Sequence, residues 1–329
     1  MKSLHRPRRL RSTTNIRELS HEISYPGMER LIYPCFIQSG SQKMDPILAM
    51  PGQFRYSMDI FLKKLTDWKK LGIKNIALFP KIDENLKNSE SSEALNENGF
   101  LPKALQQIKE RHPEIAIFTD LALDPFSSDG HDGLVANGKI LNDETVAVLA
   151  EMAVIHARNG ADFVCPSDMM DGRVKKIREA LEQSRYIDTG IVSYSAKYAS
   201  SFYGPFREAL DSAPRAGDKK TYQMDFRNQK EALKEAKLDF LEGADVLMVK
   251  PALSYLDVIS KVKEKSILPV AAYNVSGEYA MVKASAEKGW IDGKKAILEI
   301  LTSIHRAGAD MIFTYHAPEY AEIMQKELK

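Results

Sequence analysis

The sequence predicts an α/β fold, a (β/α)8 barrel, and three observations predict it. Short apolar runs recur eight times along the chain, and amphipathic segments with helical spacing lie between them. Glycine stops, three of them in the repeated phrase Gly-Ala-Asp, mark the passage from helix to strand.

The apolar runs are 31–37, 75–79, 115–123, 162–165, 190–194, 246–249, 269–275 and 311–315. They are β-branched or aromatic and mostly do not alternate with polar residues, the pattern of strands buried on both faces of a parallel sheet. Phe61, Leu62, Leu65 and Trp68 carry the spacing of one helix face, as do Val146, Leu149, Met152 and Ala153. Ala232, Leu233, Ala236 and Phe240 repeat it, and so do Ala296, Ile297, Ile300 and Leu301. Gly72, Gly160, Gly243 and Gly308 close helices before strands. Eight strands with about eight helices is the barrel number. A doubly wound open sheet is the main alternative, but no glycine-rich phosphate loop follows the first strand. The first thirty residues differ, with a dense basic stretch around Arg6, Arg8, Arg9 and Arg11, then a polar helix-like segment through His21. The expected organisation is an extended N-terminal arm, 1–30, and a barrel, 31–329.

Of 329 residues, 46 are basic and 45 acidic, so no global charge favours nucleic acid or membrane. Cys35 and Cys165, both inside apolar runs, offer no disulfide framework and no thiolate pair for zinc. No apolar run approaches the length of a membrane span, and the basic N-terminus lacks a signal-peptide apolar core. A cytoplasmic location is expected.

A barrel places catalysis at the C-terminal ends of its strands. Polar groups gather there: Asp120 and Asp124 after the third strand, Ser167 and Asp168 after the fourth, Lys197 after the fifth. Lys250 follows the sixth, Ser276 and Glu278 the seventh, Tyr315 and His316 the eighth. Lys250 comes after Val246-Leu247-Met248-Val249, so its stem enters an apolar mouth, where burial and a second cation depress a lysine and supply a neutral amine that attacks carbonyls. Taken singly, Lys250 or Lys197 is more simply a strand-end lysine snorkelling to water. Together on adjacent strands they point to Schiff-base chemistry. The stretch holding Asp120, Asp124, His131 and Asp132 can hold a hard cation or deprotonate substrate, and a plain Asp- and Gly-rich turn has the same composition. Arg207, Lys219 and Lys220 fall in a polar segment, 203–229, that reads either as a solvated loop or as a lid carrying cations for a carboxylate.

The segments KYASSFYGPFR (197–207), VLMVKP (246–251) and VSGEYAM (275–281) closely resemble the porphobilinogen synthase, or δ-aminolevulinic acid dehydratase, family. PSDMMDG (166–172) and GHDG (130–133) fit the same family, and the likeness runs from about Arg6 to the C-terminus. The resemblance implies a hydro-lyase of haem and porphyrin biosynthesis that condenses two 5-aminolevulinates into porphobilinogen with loss of two waters. It implies Schiff bases on Lys250, with the substrate giving the propionate side, and on Lys197, with the one giving the acetate side. Asp120, Asp124 and Asp132 would be catalytic. Arg207, Lys219 and Gln223 would bind the carboxylate of the substrate on Lys197, and Ser276 and Tyr315 that of the substrate on Lys250; Ser167 is counted among the substrate-binding residues.

Zinc-dependent members carry cysteines where this chain has Ala122, Asp124 and Asp132, so no zinc is expected. The pattern resembles the magnesium-responsive branch, and Lys219, where many zinc-type members have arginine, agrees with it. Glu235 would hold an allosteric Mg2+ largely through water. The basic arm invites a nucleic-acid reading, whereas the resemblance implies an arm wrapping a neighbouring subunit of a homo-octamer. Competing readings are a lyase of the aldolase type, which needs one imine-forming lysine, and a barrel that binds without catalysis.

Overall fold

The computed structural model describes residues 6–327. Residues 1–5 of the expected arm, His5 among them, and residues 328–329 of the expected barrel lie outside the described residues. Eight parallel strands form the sheet: β1 (Leu31–Gln38), β2 (Asn75–Lys81), β3 (Ala116–Leu121), β4 (Phe163–Pro166), β5 (Gly190–Lys197), β6 (Val246–Lys250), β7 (Val270–Asn274) and β8 (Met311–Thr314). Each pairs with the next, and β8 returns to β1 through Leu31 with Ile312 and Ile32 with Phe313, so the barrel is closed. A short antiparallel pair, Met44–Pro46 and Phe54–Tyr56, extends the sheet beside β1.

Helix α1 (Thr14–Ser20) belongs to the arm, and α2 (Met58–Lys70), α3 (Phe100–Arg111), α4 (Asn142–Arg158) and α5 (Arg173–Gln183) follow β1 to β4 in turn. β5 leads into α6 (Gly204–Leu210) and α7 (Gln229–Leu241), β6 into α8 (Leu256–Lys265). β7 is followed by α9 (Ser276–Glu287) and α10 (Gly293–Arg306), and β8 by α11 (Ala317–Glu327). The expected eight strands are all present. Among the described residues the helices outnumber the expected eight because the arm, the segment after β5 and the segment after β7 each add one.

Strand side chains alternate between two apolar layers. Ile32, Phe36, Phe79, Tyr194, Met248, Tyr273 and Phe313 fill the barrel interior. Tyr33, Cys35, Leu78, Leu247, Val249 and Ile312 pack against the helices. Both faces are dry, which is why the strands do not alternate apolar with polar. One irregularity re-aims a side chain. Ser193 pairs with Leu247 and Ala196 with Val249, so β5 spends one more residue than β6 over that interval. Tyr194 lies in the interior layer and Ala196 in the outer one. The extra residue is a β-bulge, and it brings Lys197 back to the interior side in register with Lys250.

The repeated Gly-Ala-Asp phrase builds one strut three times at the opposite end of the barrel. Asp162 Oδ2 accepts from Ile117 N at 2.7 Å and from Lys109 Nζ at 2.7 Å. Asp245 does the same with Ile191 N at 2.7 Å and Arg178 Nη2 at 2.5 Å, and Asp310 with Val270 N at 2.8 Å and Lys263 Nζ at 2.6 Å. Each aspartate opens an even strand, grips the odd strand before it, and takes a cation from the helix preceding that odd strand. The glycines have φ of +108, +101 and +113°, and a Cβ on each would meet the stem of the same Lys109, Arg178 or Lys263. The glycine therefore both turns the chain and makes room for the cation held two residues later.

In the arm, a 3-10 turn, Pro7–Arg11, and α1 bury none of their residues. They fold on each other, with Ser20 Oγ donating to Leu10 O at 3.2 Å and Arg17 Nη1 to Arg11 O at 3.1 Å.

Candidate active site

The strand ends converge on one narrow cavity of about 30 Å3, room for roughly one water. Asp120, Asp124, Asp132, Ser167, Lys197, Arg207, Lys219, Gln223 and Lys250 all line it. The segment after β5 covers this cavity. Lys87 Nζ donates to Asp211 O at 3.0 Å, Arg215 N to Asp129 O at 2.9 Å, and Met224 N to Lys197 O at 3.0 Å. His131, from the Asp-rich stretch, faces this cover, with Tyr222 Oη 3.0 Å from Nδ1 and Ala216 O 2.9 Å from Nε2. At about 30 Å3 the cavity as it stands is too small for two substrates.

The two lysines are equally buried, each 6% exposed, but differently surrounded. Lys197 Nζ lies 3.0 Å from Asp132 Oδ2 and donates to the Ser167 carbonyl. Lys250 Nζ sits in an aromatic cage, 4.4 Å from the Tyr273 ring centre, 5.0 Å from Tyr194, 5.2 Å from Phe206 and 5.3 Å from Tyr203. Burial, then Lys197 beside it, draws Lys250 down to about 7.

The aspartates divide in the same way. Burial would raise Asp132, but Lys197 and Lys219 outweigh it and hold the carboxyl well below its usual range. Asp120 is pushed up to about 7 by burial and then by Asp124. Lys219 Nζ bridges Asp132 Oδ1 at 2.5 Å and Asp124 Oδ2 at 3.4 Å. Its burial opposes the charge, yet the two carboxylates raise its titration. Gln223 Oε1 is buried without a hydrogen-bond partner among the described residues. The set contains an amine of depressed basicity, a carboxyl of raised basicity and a cation-carboxylate network, which suits imine formation and proton transfer.

Ser276 and Tyr315 are buried close by but do not line the cavity. Ser276 Oγ accepts from Phe206 N at 3.0 Å, so α6 stands between it and the opening. Tyr315 Oη lies 3.1 Å from Tyr273 Oη, behind the cage. Glu235 lines a different and larger cavity of about 1070 Å3, with Glu231 and Asp171. It is half-buried and its carboxyl is raised by burial and by Asp239.

Sequence reasoning missed the aromatic cage. Its signal was present: Tyr194 and Tyr273 sit at interior positions of the two strands that flank the one carrying Lys250, but core packing explains such aromatics equally well. It also missed Arg173, fully buried on α5, whose guanidinium meets Asp239 at 3.4 Å and Asp168 at 3.7 Å and donates to Ser193 Oγ at 3.2 Å. Nothing local in the sequence separates that arginine from the exposed cations of the same helix.

Comparisons with known proteins point to one family. The family model described as delta-aminolevulinic acid dehydratase matches residues 4–323. The delta-aminolevulinic acid dehydratase of Bradyrhizobium diazoefficiens is 50% identical over 323 residues, covering 98% of this chain and 91% of that protein. The chloroplastic enzyme 1 of Arabidopsis thaliana is 51% identical over 318 residues, covering 96% of this chain and 74% of the relative. Among solved structures, delta-aminolevulinic acid dehydratase (porphobilinogen synthase) of Toxoplasma gondii, in complex with the reaction product porphobilinogen, superposes with a TM-score of 0.97. It is 52% identical, with 99% of this chain and 93% of that one covered. The chain belongs to the delta-aminolevulinic acid dehydratase family.

Proposed function

We propose that this chain condenses two molecules of 5-aminolevulinate to porphobilinogen with loss of two waters, in tetrapyrrole and haem biosynthesis. The observation that carries the reading is the pairing of Lys197 with Lys250, two buried amines side by side in one site. Each would attack the ketone of one substrate, expel water and hold that substrate as an iminium. The neutral amine favoured at Lys250 makes it the readier nucleophile, while Lys197 donates a hydrogen bond to the Asp132 carboxylate. Asp120, with its raised basicity, suits the removal of a carbon-bound proton, and Asp124 and Asp132 tune the cations around it. Arg207, Lys219 and Gln223 on the cover would take the carboxylate of the substrate on Lys197. Ser276 and Tyr315 would take that of the substrate on Lys250 once α6 moves, and Ser167 would hold substrate beside Lys197. An aldolase-like lyase accounts for one lysine and leaves the other unexplained.

Zinc does not fit the position of the family's metal-binding cysteines. Asp124 and Asp132 are hard oxygens, and the Lys219 ammonium already stands between them. Magnesium fits Glu235 as a hydrated ion. Glu235 would supply a carboxylate oxygen, and it lines, with Glu231 and Asp171, a cavity roomy enough for bound waters. Among the described residues no group of three or more His, Cys, Asp or Glu side chains converges as a cage. When bound there, Mg2+ would neutralise charge around α7 and act allosterically. This reading puts the chain in the magnesium-responsive branch of the family.

The exposed Leu10 and Leu19, on an arm that buries none of residues 7–20, suit wrapping of a neighbouring subunit, and the arm's oligomeric role would be a homo-octamer. Among the described residues no helix is long and apolar enough to cross a membrane. Cys35 and Cys165 are free and buried, which suits a reducing cytoplasm.

Incubation with 5-aminolevulinate, followed by an aldehyde colour reagent for the pyrrole, tests the reaction. Porphobilinogen is the expected product, and its absence at every magnesium concentration overturns the reading.

A further inference from the structure

The backbone ladder between β6 and β7 ends at Val249 with Ala272, and that between β7 and β8 at Asn274 with Thr314. Lys250 still pairs with Lys197 on its other side, but toward β7 and β8 Lys250, Ser276 and Tyr315 all lie just past these last pairs, where the ladder no longer aligns those strands. A chain of buried side chains takes over at that level. Glu278 Oε1 accepts from Leu253 N at 2.8 Å, on the loop leaving Lys250. Its Oε2 accepts from Val275 N and from Asn274 Nδ2, both at 3.0 Å. Asn274 Oδ1 then accepts from Thr314 Oγ1 at 3.0 Å, and Thr314 Oγ1 accepts from His316 N at 3.2 Å. Glu278, Asn274 and Thr314 are at most 1% exposed, so water cannot replace a lost partner. A carboxylate only accepts, and the contacts Glu278 makes here are all with donors. Gly277 beside it lets the backbone of Phe202 approach; a Cβ there would stand 2.6 Å from Phe202 O.

We propose that Glu278, Asn274 and Thr314 are positioning residues, a girdle tying the ends of β6, β7 and β8 and setting the spacing between Lys250 and the carboxylate-binding pair Ser276 and Tyr315. The inference rests on the reading that Lys250, Ser276 and Tyr315 hold one substrate molecule. None of the three girdle residues need touch that substrate. Their effect falls on a ligand that engages both ends of the half-site at once, and spares one that engages the amine alone.

Borohydride trapping with two ketones separates these cases. Levulinate, the substrate without its amino group, carries the carboxylate; a methyl ketone of the same length does not. In the unaltered protein, levulinate should label Lys250 much faster than the plain ketone. Thr314→Val keeps the shape but removes the hydroxyl, and should slow levulinate trapping about tenfold, the worth of one or two buried hydrogen bonds, with ketone trapping unchanged. Thr314→Ser should restore the levulinate rate. Glu278→Gln, which sets an amide N–H2 against backbone donors, should slow levulinate trapping by about a hundredfold, the cost of roughly 1 Å of misplacement. If both ketones slow equally in Thr314→Val, or neither does, the girdle does not set the spacing. If the unaltered protein traps both ketones equally, or the label lies off Lys250, the half-site reading fails instead and the girdle loses its object.

Discussion

Lys197 and Lys250 stand in register on neighbouring strands because β5 carries one residue more than β6 between their paired segments. With strict alternation from Tyr194, Lys197 would have pointed into the helix layer. The bulge gives the site its second amine, and the surroundings then make the pair unequal. Lys197 meets Asp132 at 3.0 Å, whereas Lys250 meets aromatic rings.

That inequality sets an order of reaction. With substrate limiting, borohydride should fix label on Lys250 before Lys197, as read by peptide mass mapping. Label accumulating first on Lys197 would contradict the role given to the cage.

The pH dependence has a definite sign. Only the neutral amine attacks a carbonyl, and Lys250 is drawn down to about 7. Its trapping by levulinate should therefore rise with pH through about 7 and level off above it. A rate still climbing near pH 9, toward the ordinary lysine range around 10, counts against a buried, depressed amine.

The same burial costs stability. Lys250 titrates lower folded than unfolded, so its penalty is full below about pH 7 and fades as pH rises toward about 10. Lys250→Met should abolish activity yet stabilise the fold by about 1–3 kcal/mol at neutral pH. Urea denaturation at two pH values checks this, and a destabilised Lys250→Met protein refutes it.

Lys219 works in the opposite direction. It bridges Asp124 and Asp132 inside the site, and Lys219→Met leaves two buried carboxylates without their shared cation. A loss of about 3 kcal/mol is expected, with Lys219→Arg recovering most of it. Equal unfolding midpoints for all three proteins would show the bridge to be energetically idle.

Magnesium should stimulate activity and a zinc chelator should leave it unchanged. Glu235→Ala should blunt the stimulation while levulinate still labels Lys250. A strict zinc requirement would overturn the reading of Asp124 and Asp132.

At the far end of the barrel, Asp310→Asn should cost about 1 kcal/mol, discounted for partial exposure, by weakening its grip on Val270 N and Lys263. Turnover should not change, since the strut lies at the opposite end from the site. A fall in kcat with no change in unfolding midpoint would overturn that assignment.

The barrel was legible in the order of residues alone. Eight apolar runs with helical spacing between them are local patterns, and Gly160, Gly243 and Gly308 mark helix ends by backbone requirements that need no tertiary contact. The same order also brought Lys197, Lys250 and the aspartates to the right end of the strands, because strand order and direction follow from topology. Which way those side chains point and what surrounds them came from packing between segments distant in the chain. The bulge in β5 depends on pairing with β6, the cage on rings from three chain segments, and the Lys219 bridge on a cover folded back over the mouth. Burial and the charges brought within a few ångströms set how Lys250 and Asp120 titrate, and distances of that kind are settled by packing between segments far apart in the chain.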